Sequence, residues 1–298
     1  MSMPSRSAPR GIFPPITTAF DSAGDIAPAQ FRDNIARLLA AEVDGVVVSG
    51  STGESALLDA DEQRRLIGIA RDAIPSGNGR WLIAGTGGES TRETIGLSRA
   101  AADAGADVVL VRPPSYFSAG TTTATLADHY RAVADASPVP VLVYNIPKYT
   151  HISLPPALLV GLADHERIVG VKDSSGDATN VAAYREAVPG WTVLVGGASL
   201  LFTAFELGCQ GGIVGVACFA PALCVSLARE VGRGNGEAAR ALQDQITPLD
   251  KEIVGKLGPA GVKGAMDAVG LYGGPVRAPL APLAPADRER VSALVRGD

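Results

Sequence analysis

Short apolar runs rich in β-branched residues recur along most of the chain. They stand at residues 11–20 (GIFPPITTAF), 45–51 (GVVVSGS), 81–87 (WLIAGTG) and 106–114 (ADVVLVRPP). Four more follow at 140–147 (PVLVYNIP), 168–174 (IVGVKDS), 192–198 (TVLVGGA) and 211–217 (GGIVGVA). Their hydrophobicity is nearly continuous rather than alternating, which suits strands covered on both faces of a parallel sheet. Between them the spacing turns helical. Residues 28–41 gather Phe31, Ile35, Leu38 and Leu39 on one side, and residues 59–73 open on Asp59, a fitting N-cap, ahead of Leu66, Ile67 and Ala70. Residues 90–104 begin Ser-Thr, with Glu93 at the capping-box offset from Ser90. Strand–helix alternation repeated eight times predicts parallel strands with right-handed crossovers. Eight units close a (β/α)8 TIM barrel better than they build the alternative, an open doubly wound sheet.

After the eighth run the texture changes. Residues 221–234, 237–249 and 262–269 read as helices with no strand between them, and residues 273–285 are rich in proline and glycine. The expected organisation is an N-terminal tail (1–10), a barrel (11–220) and a C-terminal helical segment (221–298) of two or three helices packed on the barrel. The length of 298 residues fits one barrel of about 250 plus an extension.

Composition narrows the function class. Hydrophobic residues make up 46% and charged residues 19%, with a net charge of −5. No basic face is advertised, so nucleic acid and anionic membranes are not expected partners. The three cysteines, Cys209, Cys218 and Cys224, are odd in number and lack C-x-x-C spacing. Neither a disulfide framework nor a zinc site is expected. No apolar stretch approaches the roughly 20 residues of a membrane span, and the N-terminus lacks the apolar core of a signal peptide. The expectation is a soluble, cytoplasmic protein.

In a barrel, side chains from the C-terminal strand ends converge on the active site. Those ends carry Ser51, Thr52 and Glu54 after the second run, and Arg112, Ser115 and Tyr116 around the fourth. Tyr144 and Asn145 end the fifth run, and Lys172, Asp173 and Ser174 the sixth. Lys172 is the sharpest candidate. Period-two alternation puts Ile168, Gly170 and Lys172 on one face, and an inward Gly170 would leave space beneath the lysine stem. Burial disfavours an ammonium charge, and a neutral amine can attack a ketone to give an imine, an electron sink for C–C cleavage next door. A lysine snorkelling from a strand end to a surface carboxylate would have the same local sequence. Tyr144 ends its strand as Lys172 does; it is either a proton shuttle or a core-edge tyrosine.

The turn Gly50-Ser51-Thr52-Gly53-Glu54 suits a small anion held by backbone N–H groups, although such strand-to-helix turns are common. It is not a P-loop, and Gly85-Thr86-Gly87-Gly88 matches no dinucleotide fingerprint. The histidines lack metal-ligand spacing. His129 and His165 are expected at the surface, and His151 at the site mouth.

Four motifs stand in order at barrel-strand spacing: GIFPPITT (11–18), GSTGE (50–54), YNIP (144–147) and GVKD (170–173). In this order they resemble the dihydrodipicolinate synthase/N-acetylneuraminate lyase family, and the resemblance runs on through 273–283 (GGPVRAPLAPL). It implies a pyruvate-handling class I aldolase or lyase that needs no metal or organic cofactor, because the imine is the electron sink. Lys172 matches the family's imine-forming lysine and Tyr144 its catalytic tyrosine. Ser51 and Thr52 match the residues that hold the pyruvate carboxylate, Ser51 doubling as a relay hydroxyl. Tyr116 matches a tyrosine lent by a neighbouring subunit of a homotetramer. Ser174, Gly196, Val214 and Arg112 complete the expected substrate-binding set. Arg112 stands where the family more often has threonine; a second carboxylate and a barrel-mouth salt bridge would each account for it.

Synthases of this family usually carry an arginine two residues after the proline of Y-N-x-P. Here that residue is Tyr149. The stretches 126–150, 169–177 and 261–280 look most like 4-hydroxy-2-oxoglutarate aldolases, which release pyruvate and glyoxylate. The alternatives are a 2-keto-3-deoxy sugar-acid aldolase, a dehydratase, the synthase itself and, in a different class, a catalytically silent 2-keto-acid-binding barrel.

Overall fold

The computed structural model describes residues 8–297, so residues 1–7 of the expected tail lie outside the described residues. All eight apolar runs contain strands, each shorter than its run. They are β1 (Gly11–Phe13), β2 (Gly45–Val48), β3 (Trp81–Gly85), β4 (Val108–Val111), β5 (Val141–Asn145), β6 (Ile168–Asp173), β7 (Thr192–Val195) and β8 (Gly211–Ile213). They pair in parallel in the order β1-β8-β7-β6-β5-β4-β3-β2. Pro14 and Pro15 have no N–H to give a ladder, and β1 stops before them. The chain beyond still reaches β2: Val47 N donates to Pro14 O and Ile16 N to Val47 O, both at 3.0 Å, with Pro15 bridging Val47 in parallel. The result is a nearly closed (β/α)8 barrel.

The helices are α1 (Pro28–Ala40), α2 (Ala60–Ala73), α3 (Thr91–Asp103), α4 (Thr123–Ala136), α5 (Pro147–Thr150), α6 (Pro156–Leu162), α7 (Ala178–Ala187) and α8 (Leu201–Glu206). The C-terminal set is α9 (Pro221–Gly232), α10 (Gly236–Pro248), α11 (Lys256–Ala268) and α12 (Pro285–Arg296). The capping box before α2 is complete, with Asp59 accepting from Glu62 N at 2.8 Å and Glu62 Oε2 from Asp59 N at 3.1 Å. Before α3 it is half formed. Ser90 Oγ accepts from Glu93 N at 3.1 Å, but Glu93 Oε2 takes the N–H of Glu89 instead.

Two apolar layers follow from the strand periodicity. Phe13, Val47, Ile83, Leu110, Leu142 and Leu194 fill the barrel interior with others. The apolar side chains on the other face of the strands meet the helices in a larger outer core. Full burial of each such side chain is worth about 1.5–3 kcal/mol. The sixth strand departs from simple alternation. Its pairing with β5 slips between Val141 and Leu142, so Val141 pairs Ile168 but Leu142 pairs Gly170. Ile168 therefore belongs to the outer core and Val169 packs on the interior, contrary to the expected sharing of a face by Ile168, Gly170 and Lys172. Nor is the place of a Cβ on Gly170 empty: Thr192 Cγ2 would lie 2.4 Å away and Leu142 Cδ2 3.0 Å away.

Helix α9 packs against β1 and joins the outer ring. A π-helical stretch, Leu249–Gly255, links α10 to α11 just after Pro248. The sequence suggested two or three helices beyond residue 220; the structure has four, because α12 follows the proline- and glycine-rich stretch.

Candidate active site

Tyr144 and Lys172 are register partners on adjacent strands. Paired residues of a parallel sheet project to the same side. Lys172 Nζ donates to Tyr144 Oη at 3.0 Å and lies 4.2 Å from its ring centroid. Each residue is only 5% exposed. Asp173, one residue on, does a different task. Burial raises its carboxyl. It accepts from Asn145 Nδ2 (2.7 Å), Ser175 Oγ (2.6 Å) and Asn180 Nδ2 (3.1 Å), which ties the ends of β5 and β6 together beside the lysine.

Lys172 and Tyr144 open on a cavity of about 840 Å³ that also touches Ser51, Thr52, Ser174 and Gly196. Six of the residues singled out from the sequence thus meet in one place. Ser51 and Thr52 belong to the tight turn after β2, entered at Ser49 (φ 55°) and left at Glu54 (φ 58°). Among the described residues, the N–H groups of Ser51 and Thr52 take no backbone acceptor. Gly196 is required by the packing: a Cβ there would fall 1.8 Å from Ser174 Oγ.

Three expected residues stand apart. Val214 is buried in the outer core and its N–H donates to Phe13 O at 3.1 Å; its neighbours Ile213 and Gly215 line the cavity instead. Arg112 is in a salt bridge with Glu89 at 2.8 Å. It faces a second, smaller cavity of about 400 Å³ that Tyr144, Ser51 and Gln63 also line. Tyr116 is 80% exposed beside Phe117, 78% exposed, with the two rings edge to face at 5.0 Å. Its N–H and that of Ser115 donate to Glu89 Oε2 at 2.9 and 2.8 Å, and those bonds with Arg112 hold the Glu89 carboxyl below its usual range against the opposing effect of burial. His151 does not line the cavity. His129 is buried, not at the surface.

The far wall comes from the C-terminal segment, which sequence reading passed over. Asp250 in the π-helical stretch lines the cavity, is 8% exposed, and accepts from Ser199 N at 2.8 Å through Oδ2. Burial raises its carboxyl. Lys148 Nζ donates to Gly255 O at 2.7 Å. Tyr149 stands across from Gly258, whose φ of 58° and ψ of −144° suit glycine. The signal in the sequence was a helical pattern broken at Pro248 with a carboxylate two residues later. Among the described residues no group of three or more His, Cys, Asp or Glu side chains is arranged to hold a metal ion, and no helix is long and apolar enough to cross a membrane.

The model of the dihydrodipicolinate synthetase family matches residues 8–297. The chain belongs to that family. It is 35% identical over 278 residues to a 4-hydroxy-tetrahydrodipicolinate synthase of Methanothrix thermoacetophila, covering 92% of each chain. It is 34% identical to a protein of Emericella nidulans named probable 4-hydroxy-2-oxoglutarate aldolase, covering 96% of this chain and 93% of the relative. Among solved structures it is similar to YagE, a prophage protein of E. coli K12 in complex with pyruvate. The TM-score is 0.90 at 30% identity, over 97% of this chain and 98% of that one. The chain is thus an enzyme of this family's pyruvate-dependent lyase type.

Proposed function

We propose that this enzyme is a class I aldolase that cleaves a 2-keto-4-hydroxy acid to pyruvate and an aldehyde through an imine on Lys172. The observation that carries this reading is the 3.0 Å contact between Lys172 Nζ and Tyr144 Oη at the floor of the cavity. The amine adds to the C2 ketone, and loss of water from the carbinolamine leaves a protonated imine. Tyr144 takes the proton of the C4 hydroxyl as the C3–C4 bond breaks. The bonding pair flows into the imine, giving an enamine and a free aldehyde. Protonation at C3 and hydrolysis then return pyruvate and the lysine. The N–H groups of Ser51 and Thr52 would hold the C1 carboxylate, as anion-binding turns do. Ser51, which lines the same cavity as Tyr144, would relay protons. Tyr116 would reach a neighbouring copy's site in a homotetramer; its exposure suits that use. The cycle calls for no metal or organic cofactor, since the imine accepts the electron pair.

Two substrate tails fit this chemistry. 4-Hydroxy-2-oxoglutarate is supported by the likeness of residues 126–150, 169–177 and 261–280 to its aldolases and by the name of the Emericella relative. A 2-keto-3-deoxy sugar acid, whose tail is neutral and hydroxylated, is supported by the Asp250 carboxylate in the far wall. Borohydride reduction in the presence of pyruvate tests the shared mechanism. A stable adduct on Lys172, located by peptide mass, is expected; an unmodified Lys172 rejects the imine.

A further inference from the structure

We infer that Asp250 determines specificity in the distal half of the cavity, selecting a neutral, hydroxylated tail over one ending in a second carboxylate. The inference rests on the aldolase reading above. Asp250 shares one cavity with Lys172 but approaches from a different element, the π-helical stretch between α10 and α11. Its carboxylate is nearly buried, and among the described residues no ion pair engages it. Its hydrogen bonds come from Ser199, through the backbone N–H at 2.8 Å and the side chain, and from Ala198 N–H, and leave part of the roughly four acceptor positions of a carboxylate for a ligand. Holding those groups beside the start of α8 needs oxygens, not a charge. The charge is therefore in excess of the structural task.

The surroundings favour hydroxyl donors. Gly176, Gly196 and Gly197 leave room, and Ser174 and Ser199 add small hydroxyls. Two lysines line the same cavity. Lys172 becomes the imine, and Lys148 keeps its charge but is turned to Gly255 O at 2.7 Å. A tail hydroxyl donates to a carboxylate in a charge-assisted bond. A tail carboxylate meets a like charge where water no longer screens it.

The test compares kcat/KM for pyruvate release from 2-keto-3-deoxygluconate and from 4-hydroxy-2-oxoglutarate. The wild-type enzyme is expected to favour the sugar acid by about tenfold or more. Asp250→Asn keeps an oxygen for Ser199 N and removes the charge. It should lower sugar-acid kcat/KM about tenfold while the dicarboxylate rate holds or rises, closing the gap. Borohydride trapping with pyruvate alone should be unchanged in the variant. A wild-type preference for the dicarboxylate overturns the inference whether or not the variant folds. So does an equal loss on both substrates in Asp250→Asn, or cleavage of neither by a wild-type enzyme that traps pyruvate normally. Absence of the pyruvate adduct in the wild type rejects the aldolase reading itself, so the two failures are told apart.

Discussion

Two lysines of this chain are buried, and they meet opposite surroundings. Lys263 on α11 is 1% exposed. Its ammonium lies 2.6 Å from Glu54 Oε1, donates to Pro275 O at 2.6 Å and sits 4.6 Å from the centre of the Phe20 ring. Lys172 is nearly as buried, but its partner is the neutral phenol of Tyr144, and its other side faces the cavity. Burial pushes Lys263 below the ordinary lysine range, and the Glu54 carboxylate opposes that push. Burial alone therefore does not mark a nucleophile. A lysine whose donors are spent on a carboxylate and a carbonyl is a fastening; one left beside a phenol and open space is placed to reach a substrate carbonyl.

The two regions are also connected. Glu54 ends the turn that carries Ser51 and Thr52, and its second oxygen accepts from Arg277 N at 2.8 Å. Arg277 in turn makes a two-bonded pair with Glu62, at 2.6 Å on each side. The C-terminal segment thus grips the turn from behind while supplying Asp250 to the far wall. One buried lysine would perform chemistry; the other holds the residues that would bind the substrate's C1 carboxylate.

The sharpest way to break this contrast is Lys172→Ala. Pyruvate release should fall by about 10⁴-fold or more, while the urea midpoint moves little, by about 1 kcal/mol, because no ion pair is lost. A variant that still released pyruvate would sink the assignment. Tyr144→Phe should lower kcat about 10²- to 10⁴-fold as proton transfer fails, yet borohydride should still trap pyruvate on Lys172, more slowly. If trapping stops altogether, the phenol is needed to build the imine and not only to cleave the bond. Lys263→Met should do the reverse of Lys172→Ala. It strands the Glu54 carboxylate and should cost about 3–5 kcal/mol by urea unfolding, with catalysis retained in the fraction that stays folded. Adding Glu54→Gln should restore part of that loss. A fully stable Lys263→Met protein would mean that the pair carries no structural weight.

These contrasts were unequally legible in the sequence. Eight apolar runs gave the barrel because each is buried on both faces; strand-end position put Lys172 and Tyr144 at one mouth, and the order of the four motifs singled them out. The slip between Val141 and Leu142 was hidden, since a bulge changes the face of Ile168 without changing any local pattern. The Glu54–Lys263 pair spans most of the chain, and Asp250 meets Ser199 across the gap between two elements. Such contacts depend on how the C-terminal helices lie across the barrel, which periodicity does not encode. Val214 was expected in the substrate-binding set, and Arg112 was expected either to meet a second carboxylate or to join a barrel-mouth salt bridge. One turned out to be core, and the other is held by Glu89. The signal for Lys263 was present but quiet: a lone lysine among Gly261, Val262, Gly264 and Ala265 in a helix.

His129 offers the smallest and cleanest sharpening, because it is a buried base with no acidic partner among the described residues. It is 5% exposed on α4, its Nδ1 lies 2.9 Å from Thr91 Oγ1, and its Nε2 has no partner among the described residues. Burial holds it at about 4, against an ordinary value of 6.5. The folded-state value is depressed, so the stabilisation is fully present above pH 6.5. It is lost as pH falls toward 4, because the unfolded chain binds the proton first. Over that window the loss attributable to this one ring is about 3 kcal/mol. Urea midpoints of the wild type and His129→Gln at pH 7.5 and 4.5 isolate it, since every other titrating group is common to both. The variant should lose less stability on acidification, by about 2–3 kcal/mol. Parallel losses would show that the ring is hydrated in solution. Desolvation without a counter-charge would then no longer suffice to keep this buried base neutral.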